Sequence, residues 1–147
     1  MLCGVAEAVD YDYDINITSV GDANNWSTNL SNNVSVISGS ITVNSGAKLN
    51  LINATIIMNC SSPRNITVRN GAAMNLTGGS KINHTGTYYY DWRYESNSTG
   101  YLIDSIIEGN ASKKVGTGVS IYTNNLTISN STFRNNEYGI YLQSSYN

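Results

Sequence analysis

Apolar residues along this chain come in short alternating runs that recur at a nearly fixed spacing. The clearest case sets residues 41–57 against residues 66–82. ITVNSGAKLNLINATII and ITVRNGAAMNLTGGSKI agree at Ile, Thr, Val, Gly, Ala, Asn, Leu and the final Ile, at an offset of 25 residues. A period in the twenties built of alternating runs marks a solenoid, whose units bury their apolar faces only by stacking. The columns continue down the chain. Ile41, Ile66, Trp92, Val119 and Ile140 form one, and Val43, Val68, Tyr94, Ile121 and Leu142 the next. Leu51, Leu76, Leu102 and Ile128 form a third, with Leu49, Met74 and Leu126 two residues before it. Ile57, Ile82, Ile107 and Phe133 form a fourth, good to one residue. Members two residues apart point to the same side of a strand. The pattern therefore predicts an all-β parallel β-helix, about four to five turns of 21–27 residues with three short strands each.

Turn chemistry falls between the runs. Gly46 and Gly71 are equivalent, as are Asn50 and Asn75, and Asp104 and Asn130, while Asn59, Asn83, Asn110 and Asn136 recur near one corner. Glycine and asparagine tolerate the left-handed backbone of a sharp corner, and stacked asparagines can bond along a column. Residues 9–38 are less regular and are expected to form an N-terminal cap or a partial first turn, with Ile15 and Ile17 near the register of Ile41 and Val43. Residues 39–147 are expected to form the β-helix proper, and residues 111–118 a protruding loop.

Composition narrows the setting. Charged residues make up 12% of the chain and the net charge is −2, which leaves no basic patch for nucleic acid. Asparagine, serine and threonine supply the polarity instead. They create thirteen Asn-X-Ser/Thr sequons, at Asn16, Asn25, Asn29, Asn33, Asn53, Asn59, Asn65, Asn75, Asn83, Asn97, Asn110, Asn125 and Asn130. That is roughly twice what such a composition makes by chance, so a glycosylated extracellular or cell-surface protein is expected. Residues 2–5 read as the tail of a signal peptide, with Ala6-Glu7-Ala8 as its cleavage site, so 1–8 are set aside as a remnant. No apolar run is long enough for a transmembrane segment. Cys60 reads as a buried thiol or as half of an intermolecular bridge.

Candidate chemistry is sparse. His84, the single histidine, sits in a sequon and reads as a solvated turn residue. Asp10, Asp12 and Asp14 could gather calcium, but read better as a solvated strand face. No cofactor or metal is expected. Tyr88, Tyr89, Tyr90, Trp92 and Tyr94 crowd one stretch, in which Tyr90, Trp92 and Tyr94 alternate with Asp91, Arg93 and Glu95. Tyr88, Tyr90, Trp92 and Tyr94 are the carbohydrate-binding candidates if they face solvent, and a packed inner face if they do not.

At 130–142, NSTFRNNEYGIYL, the chain resembles the β-helix repeats of archaeal, especially methanogen, surface proteins, the family that includes NosD-type proteins within the pectin-lyase-like superfamily. Asn130, Ser131, Phe133, Asn135, Asn136, Gly139, Ile140 and Leu142 carry the likeness. The resemblance implies a right-handed helix and a non-catalytic structural or adhesive role in a cell envelope, surface layer or sheath. Self-stacking at the turn around Ile140–Leu142, or contact with polysaccharide, would go with that role. Because the superfamily includes polysaccharide lyases and glycoside hydrolases, Asp91, Arg93, Glu95, Asp104, Glu108, Lys113, Lys114 and Arg134 are the residues to inspect for a carboxylate pair or a base.

Overall fold

The computed structural model describes residues 9–19, 29–109 and 117–143. Seventeen strands, and no helix among the described residues, wind through three parallel sheets in strict rotation. The first circuit is β1 (Val9–Tyr11), β2 (Ile15–Ile17) and β3 (Asn29–Ser31). The second is β4 (Val34–Ile37), β5 (Ile41–Val43) and β6 (Lys48–Ile52), and the third β7 (Thr55–Met58), β8 (Arg64–Val68) and β9 (Ala73–Thr77). Then come β10 (Lys81–His84), β11 (Tyr90–Tyr94) and β12 (Thr99–Ile103), followed by β13 (Ile106–Glu108), β14 (Thr117–Ile121) and β15 (Leu126–Ser129). A sixth circuit opens with β16 (Thr132–Arg134) and β17 (Tyr138–Leu142). The first, second and third sheets thus hold six, six and five strands. At about 4.8 Å per strand the body is roughly 24 Å tall.

This is a parallel β-helix, and its registers follow the sequence columns. Ile15 pairs with Ile41, Ile41 with Ile66, and Ile66 with Trp92, while Val119 pairs with Ile140. Leu30, Leu51, Leu76, Leu102 and Ile128 are likewise successive partners. Residues 9–38 enter all three sheets, with Ile15 and Ile17 fully buried. One column, which the sequence places only to within one residue, is fixed by the register. Ile82 lies on Ile56, not Ile57, and continues to Ile107 and Phe133. Two adjacent isoleucines offer both strand parities, and the 26-residue step selects Ile56, which is buried while Ile57 is half-buried.

Corners are set by backbone conformation. Between second- and third-sheet strands, Gly46, Gly71 and Asn97 all have positive φ, and the Gly46 and Gly71 amides donate to the carbonyls of Gly71 and Asn97 respectively. Between third- and first-sheet strands the left-handed positions are Asn32, Asn53, Gly78, Gly79, Asp104 and Asn130. Only residues that bear this conformation cheaply fill them. Their side chains then pair between circuits: Asn53 Nδ2 donates to Asn32 Oδ1 at 2.8 Å, and Asn130 Nδ2 to Asp104 Oδ1. A second ladder runs along the third sheet. Asn75 Nδ2 donates to Asn50 Oδ1 (2.8 Å), Asn50 Nδ2 to Asn29 Oδ1 (2.7 Å), and the Tyr101 amide to Asn75 Oδ1 (3.0 Å). Asn59 and Asn83 do not share a rung: Asn83 is level with Ile57, and the Thr85 amide follows on the Met58 carbonyl. Asn110 lies outside the described residues, as does nearly all of the loop expected at 111–118.

Candidate functional site

The aromatic row folds inward. Trp92 and Tyr94 are completely buried and Tyr90 nearly so, leaving Tyr88 exposed. Alternation on β11 gives one apolar and one charged face, and the interior takes the apolar one because burying three rings contributes several kcal/mol that solvent cannot match. Tyr90, Trp92 and Tyr94 are therefore core residues and cannot stack on a sugar. Burial raises the hydroxyl pKa values of Tyr90 and Tyr94, and the Tyr94 hydroxyl donates to the Met74 carbonyl at 2.8 Å.

His84 is not a solvated turn residue. It is buried on β10, level with Met58. Its Nε2–H donates to the Tyr88 carbonyl, which can only accept, so Nδ1 is the unprotonated nitrogen and has no partner. Burial lowers its pKa below the usual histidine value, against the pull of the Tyr88 carbonyl. Cys60 is a free, buried thiol, pushed up to about 11 by burial despite nearby Arg64. It is out of reach of a second chain.

The other candidate residues are spread over the outer wall. Glu95 pairs with Arg69 at 3.1 Å and Glu108 with Arg134 at 2.7 Å, each bond joining neighbouring circuits. Glu108 also accepts from Asn135, and the Arg134 hydrogen bond is the main cause of its lowered pKa. Asp104 belongs to the corner ladder, and Asp14 accepts from the Ser40 amide. Asp10, Asp12 and Asp14 are exposed, and among the described residues no group of three His, Cys, Asp or Glu is arranged to hold a metal. Lys113 and Lys114 lie outside the described residues.

Asp91 and Arg93 remain, and they mark a feature that the sequence row concealed. On the outer face of the second sheet they line an open groove of about 380 Å³ with Asn65, Thr67, Ser120, Tyr122, Tyr138 and Tyr141. Register explains the gathering. Thr67, Arg93, Ser120 and Tyr141 are successive partners, and Asn65 pairs with Asp91. The sequence signal was the outward parity between Val119 and Ile121 and between Ile140 and Leu142.

Eleven of the thirteen sequon asparagines are described, Asn25 and Asn110 being outside. Asn16, Asn29, Asn53, Asn59, Asn65, Asn97, Asn125 and Asn130 are exposed, Asn33 and Asn83 half-buried, and Asn75 buried in its ladder. Among the described residues, no helix is long and apolar enough to cross a membrane. Comparison with protein-family models, curated proteins and solved structures gave no match.

Proposed function

We propose that this chain is a non-catalytic, exported β-helix module with a structural or adhesive role in an archaeal-type cell envelope, surface layer or sheath, and that it carries N-linked glycans. The observation that carries the reading is the placing of the sequon asparagines. Eight of the eleven described acceptors are exposed on an outer wall poor in charge, while the interior is mainly apolar. A glycan needs an exposed acceptor, and a wall with few charges is well solvated by attached sugars. Stacked circuits with amide ladders make a stiff body suited to bearing load rather than to closing around a substrate. Self-association fits the same role, because edge strand β17 leaves Ile140 and Leu142 exposed (43% and 72%). The lyase or hydrolase alternative has less support, since Glu95 and Glu108 are each held by an arginine and Asp104 by Asn130.

The test is intact-mass and glycopeptide analysis of protein purified from the native cell's envelope fraction. The expected result is a mass above that of the bare processed polypeptide in steps of one glycan, with occupancy at sites such as Asn59, Asn97 and Asn125 and none at Asn75. Recovery of an unmodified protein from the cytosol would overturn the proposal. Sedimentation at rising concentration tests self-association, and a monomer throughout would remove that part.

A further inference from the structure

We propose that the groove on the second sheet is a binding site for a neutral oligosaccharide, a function separate from glycan carriage that operates where Asn65 bears no glycan. Three observations lead there. The first is the trough itself. Register sets Thr67, Arg93, Ser120 and Tyr141 in one outward column beside Asn65 and Asp91, and with Tyr122 and Tyr138 they line an open hollow in the wall. Its volume, about 380 Å³, lies in the range of small-molecule sites.

The second is unspent bonding capacity. At several other places on the wall, polar side chains are engaged with the next circuit, as in the asparagine ladders and the Arg69–Glu95 and Arg134–Glu108 pairs. Within the groove, the side chains of Thr67, Asp91, Arg93 and Ser120 bond to no other described residue. A carboxylate, a guanidinium and two hydroxyls on fixed backbone positions offer donors and acceptors that a ligand can take without displacing a protein bond.

The third is the pairing of these groups with exposed rings. Tyr138 and Tyr141 are 57% and 47% exposed. Tyrosine faces pack against the C–H faces of sugar rings, and the polar groups beside them take the hydroxyls. Asp91 and Arg93 cancel each other's charge, so the site favours a neutral ligand over a uronate or a phosphate. A second depression of about 430 Å³ shares Arg93 and Tyr122 with the first, which extends the site beyond a single ring.

The test uses the whole 147-residue chain made in a host without N-glycosylation, because a glycan on Asn65 would fill the groove. Native gels containing galactomannan, a neutral β-glucan or polygalacturonate serve as probes. Retardation is expected in at least one neutral gel. Tyr141→Ala and Arg93→Ala should each weaken it roughly tenfold or more, as loss of a stacking ring or a bidentate donor implies. Lys48→Ala, on the exposed face of the third sheet, should leave it unchanged. Ser120→Trp fills the trough from outside the core and should abolish it, so the test survives even if one variant folds poorly by circular dichroism. Unaltered mobility in every gel, retardation by polygalacturonate alone, or retardation undiminished in all groove variants would overturn the proposal.

Discussion

Tyr94 and Gly100 offer the most exacting test of the stacked-column account. In neighbouring circuits the Tyr94 position is held by Val43, Val68 and Ile121, and the Gly100 position by Leu49, Met74 and Leu126. In one circuit, then, a medium residue has become large while a large one has lost its side chain. The two changes fit each other. A Cβ on residue 100 would stand 2.7 Å from Tyr94 Cε1, 2.8 Å from Leu126 Cδ1 and 2.5 Å from the Met74 carbonyl oxygen. The Tyr94 hydroxyl bonds that same oxygen. Restoring the repeat residues one at a time should therefore fail. Tyr94→Val empties a buried ring's volume and removes its hydrogen bond, at about 2–4 kcal/mol. Gly100→Leu drives a side chain into the ring and the carbonyl, at about 3 kcal/mol, the upper end for overpacking. In the double variant the vacated ring volume receives the leucine, and the two costs should fall short of their sum by about 1–3 kcal/mol. The Met74 carbonyl contact keeps the double variant below wild type. Urea unfolding of all four proteins, followed by far-UV circular dichroism and tryptophan fluorescence, measures the cycle. Additivity within about 0.5 kcal/mol would refute the reasoning.

Other expectations follow from single sites. His84 has a lowered folded pKa, so both states are neutral above about pH 6.5 and the unfolded chain takes up its proton first as pH falls. Stability should decline from there downward, and His84→Met should flatten the decline in melting temperature between about pH 7 and pH 5; an equal slope in both proteins would count against a buried neutral ring. Asn75→Ala strips the Tyr101 amide and Asn50 Oδ1 of their partners and should cost about 1–3 kcal/mol in a denaturant melt. Cys60 should resist a disulfide reagent in the native state and react fully once unfolded; rapid native labelling would contradict its burial. Arg134→Ala should barely move the midpoint of a urea melt, and any loss should shrink in high salt, since its guanidinium is exposed to solvent.

Much of the fold was legible because strand parity and a near-constant step together fix which residues share a column. Legibility failed where either signal was degenerate. Ile56 and Ile57 satisfy the pattern in both parities, and only pairing with Ile82 separates them. The first circuit was obscured because Leu30 precedes Leu51 by 21 residues, whereas Leu51 precedes Leu76 by 25. The alternation of rings and charges on β11 announced two faces without saying which was inner; the glycine at position 100 was the clue, and its column had been read without it. His84, flanked by polar residues, resembled a turn until its register with Met58 set it inside. The groove escaped notice because its members come from four strands and are united only by outward parity, a property with no hydrophobic signature.

The asparagine ladders have a consequence for where such a body can work. The rungs between two asparagines join circuits through neutral amides, so dissolved ions have no charge there to shield and acid has no proton to add or remove. Those rungs should hold from dilute water to brine, and the medium should loosen instead the braces that use a carboxylate, at Asp14, Glu95, Asp104 and Glu108.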